Sequence, residues 1–166
     1  MSTLSFNQIT KRFGSLTAND SITLSLGDSE IMALLGENGA GKTTLMNILF
    51  GHYVADEGSI EIDGQMLPPG STEAAIKAGV GMVHQHFTLA DNLTVIENIV
   101  LGTESLWNWR QDMTAARRKL VDMSEAYSLV INPDALVADL SVGERQRVEI
   151  MKALYRDARI LILDEP

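Results

Sequence analysis

The sequence lacks several features that would each indicate a particular class of protein. It has no cysteine, which excludes disulfides and thiolate metal sites and fits a reducing compartment. No apolar run approaches the roughly 20 residues of a membrane span. The N-terminus also lacks the basic-then-apolar layout of a secretory signal. We therefore expect a cytoplasmic protein without direct membrane insertion, whose link to any membrane runs through a partner.

Positive charge is also scarce. Thirteen Lys and Arg residues stand against 22 Asp and Glu residues, which gives a formal net charge of −9. Nucleic-acid binders neutralise phosphates with Lys and Arg, so this balance argues against nucleic acid as a partner. The 166 residues, 45% of them hydrophobic, are typical of a globular protein that buries roughly two-thirds of its unfolded surface.

The most informative stretch is a glycine-rich loop. Residues Gly36 to Thr43 read G-E-N-G-A-G-K-T and fit the phosphate-binding pattern G-x-x-x-x-G-K-[ST]. The apolar run Ile31–Leu35 predicts a buried strand before the loop, and Thr43–Phe50 predicts a helix after it. A helix start behind a glycine loop concentrates backbone N–H groups on an anion. We expect phosphate contacts from Gly36, Asn38, Gly39, Ala40, Gly41, Lys42, Thr43 and Thr44.

Periodicity and turn residues predict an α/β fold in which strands and helices alternate. Alternating strands are predicted at Leu4–Thr10 and Ser21–Leu26, and they suggest an antiparallel subsheet beside a partly parallel sheet. Other strands are predicted at Ser59–Ile62, Val80–Val83 and Ile160–Leu163, and other helices at Thr72–Ala78, Thr94–Leu101, Thr114–Tyr127 and from Ser141 to about Arg156. Thr94 with Glu97, and Ser141 with Glu144, have the spacing of capping boxes.

Three further stretches become candidate parts of a nucleotide site once a phosphate loop is present in the same chain. Asp164 and Glu165 end an apolar strand, where a carboxylate can meet Mg²⁺ and another can deprotonate a water. Gln85 follows the Val80–Val83 strand. Taken singly, the acids could be an ordinary turn, Gln85 a solvent residue, and the Ser141 and Glu144 pair only a helix cap.

Together these stretches resemble the nucleotide-binding domain of ATP-binding cassette (ABC) proteins. The glycine loop is similar to the family's Walker A motif, Gln85 to its Q-loop glutamine, Leu140–Glu144 to its signature, and Ile160–Glu165 to its Walker B strand. The resemblance implies ATP and Mg²⁺ as cofactors, with Phe13 stacked on adenine. It implies Thr43, Gln85 and Asp164 at the metal, Glu165 and Gln85 in catalysis, and Ser141 and Gly143 on the γ-phosphate.

The resemblance also implies partners. Two cassettes would pair head to tail, and residues 87–101 would dock on transmembrane permease subunits at the inner face of the membrane. The signature variant, with Val142 and Glu144 in place of a glycine and a glutamine, resembles importers of simple sugars and nucleosides. Two alternatives stay open: a soluble ABC ATPase acting on ribosomes or nucleic acid, and a regulatory cassette that binds ATP without hydrolysing it.

The resemblance divides the chain into a β subdomain with the Walker A core (about 1–85), a helical subdomain with the signature helix (about 86–157) and the Walker B strand (158–166). The family continues beyond Walker B with a strand that lies between the two Walker strands and a switch histidine. We therefore expect this 166-residue piece to have little or no ATPase activity alone, and its strand edges to be covered by rearrangement or another chain.

Overall fold

The computed structural model describes residues 2–83, 88–101 and 109–164. The chain divides into two compact units, with the boundary between Val80 and Gly81.

The first unit is built on a four-stranded antiparallel sheet with the strand order β2-β1-β3-β4. The strands are β1 (Ser2–Phe13), β2 (Leu16–Gly27), β3 (Glu57–Ile62) and β4 (Gln65–Met66). Two helices belong to the same unit, α1 (Lys42–Leu49) and α2 (Thr72–Lys77). The predicted antiparallel subsheet is thus confirmed, and β1 runs three residues beyond its predicted end.

A bulge at Gln8 changes which side of β1 faces the core. Leu4 and Phe6 are buried as their alternation predicts, but Ile9 is also buried, at 1% exposure. Gln8 has a φ of 50°, and the pairing register with both neighbouring strands shifts past it. The chain at Gln8 lies so close to Gly58 that a Cβ there would be 2.4 Å from the Gln8 carbonyl oxygen. Only glycine fits that position.

The predicted buried strand Ile31–Leu35 is wrong. This segment is neither helix nor strand and belongs to neither sheet, and Ile31 and Leu35 are 97% and 92% exposed. Apolar composition does not by itself make a strand, because a strand needs a neighbour for its N–H and C=O groups. Among the residues that the structure describes, none supplies that neighbour.

The second unit pairs a small sheet with a group of helices. Strands β5 (Val80–Val83) and β6 (Ile160–Leu163) form the sheet. The helices are α3 (Val95–Val100), α4 (Trp109–Ala126) and α5 (Val142–Tyr155), with a 3₁₀ turn at Val137–Asp139. Helix α4 begins at Trp109, five residues before its predicted start. In the described ranges, no helix is both long and apolar enough to cross a bilayer.

Apolar side chains from all three helices form the core of this unit. Helices α3, α4 and α5 each contribute, and the 3₁₀ turn adds Val137; the cluster is Val95, Ile96, Ile99, Ala116, Leu120, Val137, Val148 and Met151. Both capping boxes predicted from the sequence are present, at Thr94 for α3 and at Ser141 for α5. They fix where the two helices begin.

Candidate functional site

The glycine loop forms a tight turn that leads into α1. The Ala40 amide donates to the Glu37 carbonyl over 3.1 Å. Gly39 and Gly41 have φ angles of 84° and 83°, which is the left-handed region that side chains disfavour. Asn38, like its loop neighbours, is exposed. The loop therefore presents its backbone to solvent just before the first turn of a helix.

Strand β2 holds the end of this loop through Gly41. A Cβ on Gly41 would lie 2.1 Å from the Ala18 carbonyl oxygen, so the two backbones touch. The Asn19 side-chain nitrogen donates to the Gly41 carbonyl at 3.1 Å, and Asn19 is only 5% exposed. The sequence did not single out Asn19. Its Oδ1 is buried with no hydrogen-bond partner among the described residues, which leaves an acceptor beside the loop.

The Lys42 side chain bonds back to the start of the glycine loop. Its Nζ donates to the carbonyls of Gly36 and Glu37, both at 2.8 Å. An ammonium has three N–H donors, so two carbonyl bonds leave one for an anion. The first turn of α1 contains no acidic residue, and the positive end of the helix dipole is therefore not offset locally.

The following residues orient α1. Thr43 is exposed and Thr44 is partly buried. Leu45, Ile48 and Leu49 are buried, so that one face of the helix is fixed against the unit. The predicted loop residues thus lie, consecutive in the chain, at the exposed start of a helix whose later residues are buried.

Phe13 forms an aromatic pair that the sequence did not predict. Its ring lies 5.6 Å from that of Tyr53 at an interplanar angle of 74°. The Lys11 ammonium lies 5.4 Å from the Phe13 ring centroid. Phe13 and Tyr53 are 44% and 41% exposed. The two rings meet edge to face, Lys11 lies over the Phe13 ring, and the exposed part of Phe13 can meet a planar ligand.

The signature residues form the N-terminus of α5. The Ser141 backbone N–H and hydroxyl donate to Glu144 Oε2 at 2.9 and 2.6 Å, and the Ser141 oxygen accepts from the Glu144 amide at 3.4 Å. These bonds from Ser141 lower the pKa of Glu144. Val142 is 71% exposed and lies in the first helical turn with Gly143. Val142 does not have the positive φ that a β-branched residue would resist.

Of the remaining predicted residues, the structure describes Asp164 but not Gln85 or Glu165. Asp164 follows β6, and its amide donates to the Val83 carbonyl at 3.2 Å. Gln85 and Glu165 lie outside the described residues. Across the described ranges, no group of three or more His, Cys, Asp or Glu side chains could hold a metal ion. A cation bound near Asp164 would therefore need ligands other than a cluster of such side chains.

Two buried polar residues in the second unit were not foreseen. Asn98, 1% exposed, accepts from the Ala90 amide at 2.7 Å and donates to the Ala90 and Thr94 carbonyls at 3.0 Å. Glu149, 6% exposed, accepts from the amide and hydroxyl of Thr88 at 2.5 and 2.9 Å. The signal for Asn98 was its place in the largely apolar helix α3, since polar residues there are buried only with partners. Glu149 gave no such signal, because charged residues are frequent along α5.

Comparison with known proteins places this arrangement in a family. The family model described as ABC transporter matches residues 19–166. A nucleoside import ATP-binding protein of Lactococcus lactis is 52% identical over 95% of this chain, and a guanosine import ATP-binding protein of Bacillus subtilis is 51% identical over the same share. The chain spans 31% of the length of each of these relatives.

A solved structure confirms the predicted fold class. The crystal structure of a nucleotide-free ATP-binding cassette from an ABC transporter superimposes with a TM-score of 0.83 and 26% identity, over 100% of this chain and 70% of that one. An α/β fold with a phosphate loop, an antiparallel sheet and a helical part is therefore correct. The match to the family model covers most of the chain, so the chain belongs to the ABC transporter family.

Proposed function

We propose that the whole protein is the ATP-binding and ATP-hydrolysing subunit of an ABC importer for a nucleoside or a simple sugar. The observation that carries the proposal is the phosphate loop, in which two left-handed glycines lead into a helix that begins at Lys42. Family membership supports it, and the similar proteins of L. lactis and B. subtilis are named as import ATP-binding proteins.

ATP binding follows from the chemistry of the loop. Backbone N–H groups from Gly39 to Thr43, together with the α1 dipole, stabilise the phosphates. Lys42 supplies a cation already held by the Gly36 and Glu37 carbonyls, so little side-chain entropy is lost when it meets a phosphate. Phe13 offers its exposed face to adenine.

Mg²⁺ fits the donors that this chain provides. The Thr43 hydroxyl and the Asp164 carboxylate are oxygen ligands of the kind that Mg²⁺ prefers. The described residues contain no all-protein acidic cage, and Mg²⁺ in phosphoryl-transfer sites commonly keeps waters and phosphate oxygens as its other ligands. Thr43, Asp164 and Gln85 would hold the ion. When bound, it neutralises charge that develops on the phosphate oxygens.

Hydrolysis is assigned to two side chains outside the described residues. Glu165 would orient and deprotonate a water in line with the γ-phosphate. Gln85 would hold the same water and respond to the metal. These roles come from the family motifs at these positions.

Pairing with a second cassette is assigned to the N-terminus of α5. Ser141 and the Gly143 amide would contact the γ-phosphate bound by the partner cassette. The Glu144 carboxylate now accepts from both donors of Ser141. An incoming phosphate must therefore share or displace that carboxylate, because both anions need the same helix end.

Permease subunits at the cytoplasmic face of the membrane complete the proposed assembly. Both similar proteins are named for nucleoside or guanosine import, which favours a nucleoside over a free sugar as the transported molecule. The net charge of −9 disfavours the alternative of a nucleic-acid-bound ABC ATPase. A cassette that binds ATP without turning it over is the second alternative, and it predicts the absence of hydrolysis.

The test uses the full-length protein with its permease subunits in proteoliposomes. Lys42→Ala should abolish most nucleotide binding, and Glu165→Gln should preserve binding but lower hydrolysis by about 100-fold or more, as expected when a general base is lost. Lys77→Ala on α2, an exposed lysine paired with Glu73, is the matched control. Uptake of labelled guanosine and ribose distinguishes the substrates. Hydrolysis that is unchanged in Glu165→Gln would contradict the assigned role.

A further inference from the structure

One face of α5, together with its C-cap residue Arg156, carries four polar side chains that all contact residues 88–101. Arg145, Glu149, Lys152 and Arg156 follow each other at intervals of four, three and four residues, which places them on one stripe of a helix. We call them the polar stripe. Their partners are Asp91, Thr88, Thr88 again and the Leu101 carbonyl. The stripe thus joins the helix that begins at Ser141 to the segment that begins three residues after Gln85.

Glu149 makes the most buried of these contacts. Its Oε1 accepts from both the Thr88 amide and the Thr88 hydroxyl, while Lys152 Nζ donates to the same hydroxyl oxygen at 3.4 Å. Glu149 is 6% exposed, whereas Thr88 is exposed. The two bonds hold Thr88 against α5, since hydrogen bonds to a buried carboxylate are strong and costly to break.

Arg145 ties the same segment to the residues that precede the signature. Its guanidinium contacts Asp91 at 2.6 Å and also donates to the Ala138 and Leu140 carbonyls at 3.3 Å. One side chain therefore joins Asp91 to the backbone next to Ser141. Between Ser141 and Glu149 the helix is continuous, so a displacement at either end is carried along it with little loss.

We propose that Glu149 is a positioning residue that couples residues 88–91 to Ser141. The inference rests on the proposed function, in which Ser141 meets ATP of the partner cassette. It also rests on the expectation, drawn from the family resemblance, that residues 87–101 dock on the permease. When the permease shifts this segment, the Glu149 bonds to Thr88 make α5 move with it. The N-terminus of α5 then reaches or leaves the γ-phosphate.

The test compares ATP hydrolysis by the full-length chain alone and in complex with its permease subunits. Glu149→Met removes the acceptor but keeps the side-chain length. It should lower the ratio of the two kcat values by about fivefold or more, the lower range of coupling between sites. The KM for ATP and the kcat of the isolated chain should stay within about twofold, because the phosphate loop is untouched. A purely structural role would lower both kcat values together.

Three further variants keep the test decisive. Glu149→Gln retains Oε1 as an acceptor and should restore the ratio. Asp91→Ala removes an exposed partner of Arg145, so it should lower the ratio without threatening the fold. Glu73→Met on α2 is the matched control and should change nothing. An unchanged ratio in both Glu149→Met and Asp91→Ala overturns the coupling inference alone, whereas a wild-type complex that hydrolyses no ATP overturns the proposed function as well.

Discussion

The Asn19 amide nitrogen lies 3.1 Å from the Gly41 carbonyl oxygen, and this bond fastens the phosphate loop to the edge strand β2. Gly41 is the residue before α1 and has no side chain to cap the helix. The Asn19 side chain, from strand β2, holds Gly41 in place instead. Its bond to Gly41 joins residues that are 22 positions apart in the chain.

Replacement of Asn19 should make the phosphate loop less rigid. We expect Asn19→Ala to remove one buried hydrogen bond worth about 1 kcal/mol, and to weaken nucleotide affinity by about fivefold. Isothermal titration of ATP into the full-length protein measures the change. Asn7→Ala is the control, because Asn7 bonds to Glu61 on the sheet and not to the loop. Equal affinities for Asn19→Ala and wild type would show that the loop holds its shape unaided.

The aromatic pair predicts graded effects on nucleotide binding. Phe13→Ala removes the exposed ring and should reduce ATP affinity about tenfold, whereas Phe13→Tyr should retain it. Tyr53→Ala should cost less, about threefold, because Tyr53 acts only by packing against the Phe13 ring at 5.6 Å. Measured dissociation constants for ATP check the order. A larger loss in Tyr53→Ala than in Phe13→Ala would mean that Tyr53 itself meets the base.

Asn98 predicts a stability effect without any direct effect on the phosphate loop. Its side chain satisfies the Ala90 amide and two backbone carbonyls while almost fully buried. Asn98→Asp keeps the size but loses both N–H donors, so it should lower the free energy of unfolding by about 2–4 kcal/mol. Thermal unfolding measures this. The exposed Asn38→Asp is the control, and a melting temperature equal to wild type in Asn98→Asp would contradict the network.

The two capping boxes predict how stability depends on pH. Bonds from the Thr94 backbone and hydroxyl lower the pKa of Glu97, and bonds from Ser141 lower that of Glu144. A carboxylate with a lowered pKa in the folded state stabilises fully above the ordinary glutamate value of about 4.3, and the contribution disappears as the pH falls through the lowered pKa.

The double variant Glu97→Gln, Glu144→Gln isolates this contribution. Glutamine retains the capping geometry but does not titrate, so melting temperature should fall less steeply below about pH 4.3 than in the wild type. Melting curves followed by circular dichroism between acid and neutral pH compare the two. Glu125→Gln on α4 takes part in no cap and serves as the control. Parallel curves for the double variant and wild type would refute the assignment.

The sequence predicted the features that depend on residues close together in the chain. Both capping boxes and the glycine loop depend on residues within one or two turns of each other, and most strands and helices followed from periodicity, although β4 was not predicted. The Ile31–Leu35 segment has the composition of a strand, but strand formation depends on a distant neighbour. The bulge at Gln8 depends on close approach by Gly58, which no pattern near Gln8 reveals.

The supporting residues of the candidate site were hidden for the same reason. Asn19 and Glu149 act through partners that are 22 and 61 positions away. Motifs identify the groups that would meet ATP, whereas the side chains that hold those groups are chosen by tertiary contacts. Neither Asn19, which stands between Ala18 and Asp20, nor Glu149, which lies in a helix rich in charged residues, has a local pattern that marks it as buried.

The exposed segment Ile31–Leu35 has a calorimetric consequence. Ile31 and Leu35 are almost fully in water, so any event that covers the segment removes a large apolar area from solvent. Such an event must carry a negative change in heat capacity, even at a temperature where its enthalpy is near zero. Heat capacity measured over a range of temperatures would thus detect ordering of the approach to the phosphate loop, independently of any activity.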